Sequence, residues 1–247
     1  MNNIVLSPQN AKLVEHSVYR VTEITVLNHL ANILNLKAGQ ESVLNIIVPN
    51  EGRGVGRFYV DERGGVFVEV VELHKTRKRN IHLAIATTRP LMAKRVLEHA
   101  TTLGAASFNF FPAELSEKSY FSSKVYSDEV ASQHIQKGMA QCSEFSTVPK
   151  LMKHKKLEDL IKVYADKSVD MYWLDKGASN YFGEPDVNKE IILFIGPERG
   201  WTKREIEVFQ SSDIIGTKLS NSVMRVEFAV NAAFAQLEYI ANRRSDV

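Results

Sequence analysis

The sequence predicts an α/β protein in two domains, a β-rich domain at residues 1–74 and a larger α/β domain at residues 75–247. Short apolar segments separated by turn residues characterise the first part. From residue 81 onward apolar strands alternate with helical patterns, which favours a largely parallel sheet covered by helices on both faces. The pattern changes at a basic run, residues 75–80, and we place the domain boundary there.

The first domain is predicted to contain three strands and a short helix. The strands are expected at residues 43–48, 56–60 and 66–71, and the helix at residues 29–34. Turn residues at 61–65 join the last two strands into a hairpin. We therefore expect a compact β-barrel with one helix.

The second domain begins with alternating strands and helices. Strands are predicted at residues 81–86, 106–111 and 169–174, and helices at 91–103, 128–144 and 156–164. Gly104 is a suitable C-cap for the first of these helices, and Pro112 stops the second strand.

Residues 191–205 are the most informative stretch. A strand of the buried type runs into a Gly196-Pro197 turn, and Thr202 with Glu205 forms a capping box that starts a helix. Ligands of open α/β sheets bind beyond the carboxyl ends of the strands, so this turn is a candidate ligand loop. It contains neither a phosphate-loop nor a dinucleotide-binding glycine pattern, and an ordinary tight turn would look similar.

A second candidate loop follows one helix later. A short strand is predicted at residues 213–219, polar turn residues at 220–222 and a C-terminal helix at 223–243. Arg225 and Glu227 fall at the start of that helix. Such a pair is usually a surface ion pair worth under ~1 kcal/mol, but its position directly after a candidate ligand loop also suggests a functional role.

Composition limits the class of protein. Apolar residues make up 44% of the chain and the formal net charge is +2, which indicates a globular protein and permits a nucleic-acid partner. The amino terminus has no signal-peptide pattern and no apolar segment reaches the ~18 residues of a membrane span, so we expect a cytoplasmic protein. Cys142 is the only cysteine, which rules out an internal disulfide and a multi-cysteine metal site, and we expect no metal.

The basic run contains the candidate RNA-binding residues. Four cations occur within five residues and could contact phosphate oxygens, namely Lys75, Arg77, Lys78 and Arg79. A solvated linker would have the same composition.

Two motifs carry a resemblance to a known family. Residues 193–200, Leu-Phe-Ile-Gly-Pro-Glu-Arg-Gly, are followed about twenty residues later by 219–227, Leu-Ser-Asn-Ser-Val-Met-Arg-Val-Glu. Together they resemble the RsmE family of ribosomal RNA methyltransferases, whose usual forms are Gly-Pro-Glu-Gly-Gly and Leu-Gly-x-x-Ile-Leu-Arg-Thr-Glu-Thr. Weaker similarity extends over most of the chain.

The resemblance implies a SPOUT-type domain with a deep trefoil knot, a PUA-like N-terminal barrel that helps to hold RNA, and a homodimer. It implies S-adenosylmethionine as the cofactor and N3 of a uridine in small-subunit (16S) ribosomal RNA as the methylated atom. By position, one cofactor loop would contain Gly196, Pro197, Glu198 and Gly200, with Ile195 before it. A second would contain Leu219, Ser220, Asn221, Val223 and Met224, and Asp175 would lie in a third.

Arg225 and Glu227 are the candidate catalytic residues. Uracil N3 must lose its proton before methylation, and a cation such as Arg225 could stabilise the developing anion or hold a phosphate, with Glu227 orienting it.

Several positions depart from the family pattern. They are Glu144, Ser146, Arg199, Ser220, Asn221, Val226 and Phe228. These departures leave two alternatives beside an active uridine methyltransferase: a divergent paralogue that modifies another RNA or atom, and a binding module that has lost catalysis.

Overall fold

The computed structural model describes residues 2–32, 36–165, 168–183, 185–186 and 189–245. The chain forms two compact units, the first made of Met1–Lys78 with Met139–Val148 and the second of Arg79–Gly138 with Pro149–Val247. The sequence placed the boundary between residues 74 and 75, and it assigned the segment Met139–Val148 to the second domain. Within the described ranges, no helix has the length and apolar character needed to cross a membrane.

The first unit is a six-stranded sheet with one helix. Its elements are β1 Ile4–Val5, β2 Ala11–Glu15, β3 Val18–Val21, α1 Ile24–Asn32, β4 Glu41–Val48, β5 Gly52–Val60 and β6 Val66–His74. The strand order is β1-β4-β5-β6-β3-β2, and the register Val60↔Val66 confirms the predicted hairpin. Leu30 of α1 packs in one apolar core with Ile46, Phe58 and Val68 of the sheet. Because β1 and β2 are not paired with each other in the described residues, closure into a barrel stays a prediction.

The helix predicted at residues 29–34 corresponds to α1, which begins earlier than expected, and residues 33 and 34 lie outside the described ranges. The helix predicted at 128–144 ends at Met139 instead. Beyond that point the chain is held by other bonds, since Asn3 Nδ2 donates to the carbonyl of Cys142 at 2.8 Å and the Asn50 amide to that of Ser146 at 2.7 Å. Cys142 is therefore buried just past the helix and not on it.

The second unit is a parallel sheet with helices. Its elements are β7 Ile81–Ala86, α2 Pro90–Thr102, β8 Ser107–Phe111, α3 Asp128–Met139, β9 Lys150–Lys153, α4 Leu157–Ala165, β10 Val169–Leu174, β11 Glu190–Ile195, α5 Lys203–Ser211, β12 Ile215–Thr217 and α6 Val226–Ser245. The order is β12-β10-β11-β7-β8-β9 and every pairing is parallel. The predicted α/β alternation is confirmed.

The two faces of this sheet are covered by different helices. Ile192 and Phe194 of β11 pack in one core with Leu160 of α4 and Phe209 of α5. Side chains alternate along a strand, so Leu193 points to the opposite face, where α6 contacts β11 and packs on α2. This two-sided burial explains why β11 is a continuous apolar run in the sequence.

Candidate active site

The carboxyl ends of four parallel strands meet at one edge of the second unit. Leu174 of β10 pairs with Ile195 of β11 and with Thr217 of β12, and Ile195 pairs with Ile85 of β7. The loops that follow these strands therefore begin side by side. This is where ligands of open α/β sheets bind.

A cavity of about 520 Å³ lies at this edge. Its volume falls within the ~300–1,000 Å³ of typical small-molecule sites. Most of the residues that the sequence singled out line it, namely Asp175, Ile195, Gly196, Pro197, Glu198, Gly200, Leu219, Ser220, Val223, Met224 and Arg225. Asn221 and Glu227 are not among the lining residues.

The loop after β11 is shaped by a tryptophan. A Cβ on Gly196 would lie 3.0 Å from Cε2 of Trp201, so any larger residue here would have to displace the indole. The indole Nε1 donates to the carbonyl of Leu174 at 3.0 Å, which ties this loop to the end of β10. Gly200 has φ +74°, a left-handed conformation that favours glycine.

Glu198 connects two loops. Its Oε1 accepts from Thr88 Oγ1 at 2.7 Å and from the Arg89 amide at 3.2 Å, both in the loop after β7. Burial alone would raise the pKa of Glu198, but these hydrogen bonds outweigh it and lower the pKa below its ordinary value. The carboxylate is therefore ionised near neutral pH, and its hydrogen bonds connect the loop after β11 to the loop after β7.

The capping box predicted at the start of α5 is confirmed. Thr202 Oγ1 accepts from the Glu205 amide at 3.2 Å, and Glu205 Oε2 accepts from the Thr202 amide at 2.9 Å. The helix therefore starts directly after the loop and holds its end in place.

The loop between β12 and α6 also lines the cavity. The predicted helix start at residue 223 is wrong, because the first helical hydrogen bond runs from the Ala229 amide to the carbonyl of Arg225 and α6 begins at Val226. The side chain of Ser220 closes a turn on Ser222, and Gln236 Nε2 donates to the carbonyl of Leu219 at 2.8 Å.

Asp175 and Asn221, both predicted to bind the cofactor, differ in their position relative to the cavity. Asp175 lines the cavity, and its Oδ1 accepts from the Gly177 amide at 2.9 Å. Asn221 instead accepts from the Tyr181 hydroxyl at 3.3 Å, outside the lining residues. Of the five residues predicted for the second cofactor loop, Asn221 alone lies outside the lining residues, and its contact with the cofactor stays a prediction.

Arg225 and Glu227 occupy different environments. The side chain of Arg225 is 66% exposed and lines the cavity, whereas that of Glu227 is 1% exposed in the first turn of α6. Glu227 Oε1 lies 3.3 Å from Arg95 Nη1 and 3.9 Å from Arg225 Nη1. The closer partner, Arg95 of α2, was not singled out in the sequence.

A family model described as an RNA methyltransferase domain matches residues 75–238. This chain belongs to that RNA methyltransferase family. The curated relative named ribosomal RNA small subunit methyltransferase E 1, from Borreliella burgdorferi, is 25% identical over 211 residues, which cover 85% of this chain and 87% of the relative.

Solved structures show the same fold. A Legionella pneumophila protein described as a methyltransferase, in complex with the cofactor SAM, aligns with a TM-score of 0.75 at 19% identity over 96% of this chain and 97% of the other. The ribosomal RNA small subunit methyltransferase E of Neisseria gonorrhoeae, bound to S-adenosyl methionine, aligns with a TM-score of 0.70 at 16% identity over 97% and 98%. The predicted α/β fold is therefore one that solved methyltransferases share. The SPOUT-type knot stays a prediction.

The basic run divides between the two units. Lys75, Arg77 and Lys78 are exposed in the first unit, where the Arg77 guanidinium lies 3.8 Å from a Glu144 oxygen and 5.2 Å from the ring centroid of Phe145. Arg79 is different, since its side chain is 14% exposed.

Arg79 has structural partners within the RNA methyltransferase domain. It is paired with Glu238 and donates to the carbonyl of Leu103 at 3.1 Å. RNA contact by Arg79 stays a prediction, and its pairing and low exposure favour a structural role instead.

Sequence reasoning missed several site residues of this RNA methyltransferase. Arg89, Met92 and Trp201 line the cavity, and Thr88 holds Glu198. Thr88 and Arg89 follow the end of β7 within three residues, so the rule that ligands bind beyond the strand ends could have found them. In the described part of the chain, no cluster of three or more His, Cys, Asp and Glu side chains could hold a metal ion.

Proposed function

We propose that this RNA methyltransferase uses S-adenosylmethionine to methylate N3 of a uridine in small-subunit ribosomal RNA. The observation that carries the proposal is the cavity at the carboxyl ends of β7, β10 and β11. The two loops that the sequence motifs predicted to bind the cofactor line this cavity. Relatives named for small-subunit ribosomal RNA methylation, and neighbours solved with SAM, support it.

The cavity suits the proposed cofactor. Ile195, Leu219 and Met224 give it apolar walls that can contact the faces of an adenine ring. The backbone of the two loops offers amides and carbonyls for the edge of the base. Asp175 has a carboxylate oxygen beyond the one bonded to Gly177, and it can accept from ribose hydroxyls.

The proposed reaction depends strongly on how its two reactants are positioned. When bound, S-adenosylmethionine supplies an electrophilic methyl group on a sulfonium. The protein must hold the uracil ring in line with that methyl. Such orientation of the reactants can lower the activation barrier by ~7–11 kcal/mol. Arg225 is an exposed cation at the cavity and comes directly after the second candidate cofactor loop, so we assign to it the stabilisation of the uracil anion that forms when N3 loses its proton to solvent water.

We also propose a homodimer in which α6 takes part. Phe228 of α6 is 54% exposed, Val223 before it is 76% exposed and Leu91 of α2 is 57% exposed. Phe234 and Leu237 of the same helix are 1% exposed and belong to the core. Light scattering at micromolar concentrations should give the mass of two chains, and Phe228→Asp should give that of one.

Calorimetric titration with S-adenosylmethionine and with its demethylated product tests the cofactor. We expect both to bind, and no heat with either would contradict every enzymatic assignment. Mass mapping of ribosomal RNA from cells lacking the gene then tests the substrate. One uridine methyl should vanish, and its persistence would favour the divergent-paralogue alternative.

A further inference from the structure

Three exposed cations follow three neighbouring strands at the cavity. Lys176 comes after β10, Arg199 after β11 and Arg89 after β7, and all three are exposed and line the cavity. Among the described residues, none of them lies within 4.0 Å of a carboxylate oxygen in an ion pair. We call Lys176, Arg199 and Arg89 the basic rim.

Three carboxylates of the described residues lie near the rim, and none of them forms an ion pair with a rim cation within 4.0 Å. Asp175 accepts from the Gly177 amide, and Glu198 accepts from Thr88 and from the backbone of Arg89. Glu227 is buried and paired with Arg95. Arg89 interacts electrostatically with the Glu198 carboxylate, whereas no ion pair is found for Lys176 or Arg199 among the described residues. Arg225 adds a fourth cation at the same cavity.

Arg199 is placed without backbone strain. The left-handed conformation in this turn belongs to Gly200, and Arg199 is not among the described non-glycine residues with positive φ. The chain therefore has an arginine side chain at a position where the RsmE family, which it resembles, usually has glycine. The side chain can extend from the loop without disturbing it.

We propose that the basic rim binds the phosphates that flank the methylated nucleotide in the RNA strand. The strands β10, β11 and β7 are adjacent, so the three cations form a row about two strand spacings long, or ~10 Å. A row of that length can follow a sugar-phosphate backbone across the cavity while one base enters it. The inference rests on the proposed function, since it assumes that RNA is the substrate.

Binding of an unmodified small-subunit ribosomal RNA transcript tests the rim. Fluorescence anisotropy would be measured over a series of KCl concentrations with S-adenosylhomocysteine present, and cofactor affinity by calorimetry. Arg199→Gln and Lys176→Gln should each weaken RNA binding several-fold and reduce the slope of log Kd against log salt by about 0.7–0.9. Cofactor affinity should stay within about twofold of wild type.

Two further variants serve as controls. Arg199→Lys keeps the charge and should retain the salt slope. Lys189→Gln removes an exposed cation next to the amino end of β11, whereas the cavity lies at the carboxyl ends of the strands. This variant should change neither RNA nor cofactor binding.

The possible outcomes distinguish RNA binding by the basic rim from methyl transfer. Loss of cofactor affinity with unchanged RNA binding would overturn the proposal, because the cations would then hold the cofactor carboxylate. Unchanged RNA affinity and salt slope in both Gln variants would overturn it as well. If the slopes change as expected but wild type transfers no methyl group, the rim is supported while the proposed reaction fails.

Discussion

The guanidinium of Arg95 lies 3.3 Å from Oε1 of Glu227, a carboxylate whose side chain is 1% exposed. Arg225 shares that oxygen at 3.9 Å, and Oε2 is buried without a hydrogen-bond partner among the described residues. Position in the first turn of α6 further favours the negative charge. Arg95 therefore neutralises Glu227, which leaves Arg225 available to face the cavity.

Replacing Arg95 with Gln should destabilise the protein. The buried carboxylate would lose its closer partner, and we expect a loss of about 2 kcal/mol in the free energy of unfolding, below the ~3–5 kcal/mol of a fully buried pair because Arg95 is 43% exposed. Arg225→Gln should cost under ~1 kcal/mol. Urea denaturation measures both.

A double-mutant cycle tests whether the Arg95 effect acts through Glu227. In a Glu227→Gln background the Arg95→Gln substitution should cost little. Equal costs in the two backgrounds would show that Arg95 stabilises the protein by other contacts.

Arg225→Ala should abolish methyl transfer while leaving cofactor affinity nearly intact. Removing a group that stabilises charge in the transition state commonly costs ~100-fold or more in kcat. Transfer of labelled methyl to small-subunit ribosomal RNA and calorimetry with S-adenosylmethionine would be compared. Turnover at the wild-type rate would refute the catalytic role of Arg225.

Glu198→Gln should loosen the contact between the loops after β7 and β11. Hydrogen bonds from Thr88 and Arg89 to a carboxylate are weakened in the amide, and we expect a loss of about 1 kcal/mol at neutral pH because the side chain is exposed. The loss should be visible as a lower midpoint in urea.

The Glu198 effect should depend on pH with a defined sign. The pKa of this carboxyl is lowered from 4.5 in the folded protein, so its stabilisation is present above pH 4.5 and is lost as pH falls through the folded pKa. The difference between wild type and Glu198→Gln should therefore shrink in acid. A difference that grows as the pH falls would contradict this assignment.

Gly196→Ala should displace Trp201. The new Cβ would lie 3.0 Å from the indole, so the ring must shift and its hydrogen bond to Leu174 should weaken. We expect cofactor affinity to fall about tenfold, as calorimetry would measure, with a change in tryptophan fluorescence. A loss of ~1.4 kcal/mol in binding corresponds to that factor.

Gly177→Ala is the matched control for Gly196→Ala, since a Cβ there would contact Asp175 only at an ordinary 3.6 Å. Its effect on affinity should be small. Equal losses in both variants would mean that loop flexibility, and not the indole, explains the effect.

Features that depend on neighbouring residues could be predicted from the sequence. The apolar run that forms β11, the capping box of Thr202 and Glu205 and the hairpin between β5 and β6 depend on strand burial, one helix turn and one tight turn. The candidate loops were found in the same way, because each follows directly on a strand. The motifs at residues 193–200 and 219–227 then indicated which family's chemistry to expect.

Contacts between distant residues were decided only by the tertiary structure. Thr88 and Glu198 are 110 residues apart, and Arg95 and Glu227 are 132 apart. Their meeting depends on the strand order β11-β7 and on the packing of α2 against α6, which no local pattern contains.

The basic run shows the same division between sequence and structure. Its sequence identifies Arg79 as a cation, but only the folded chain brings Glu238 to that side chain and withdraws it from solvent. Local chemistry thus determined the elements and the family motifs of this protein. Long-range packing decided which charges are neutralised inside the fold and which, such as Arg199 and Arg225, remain exposed at the cavity.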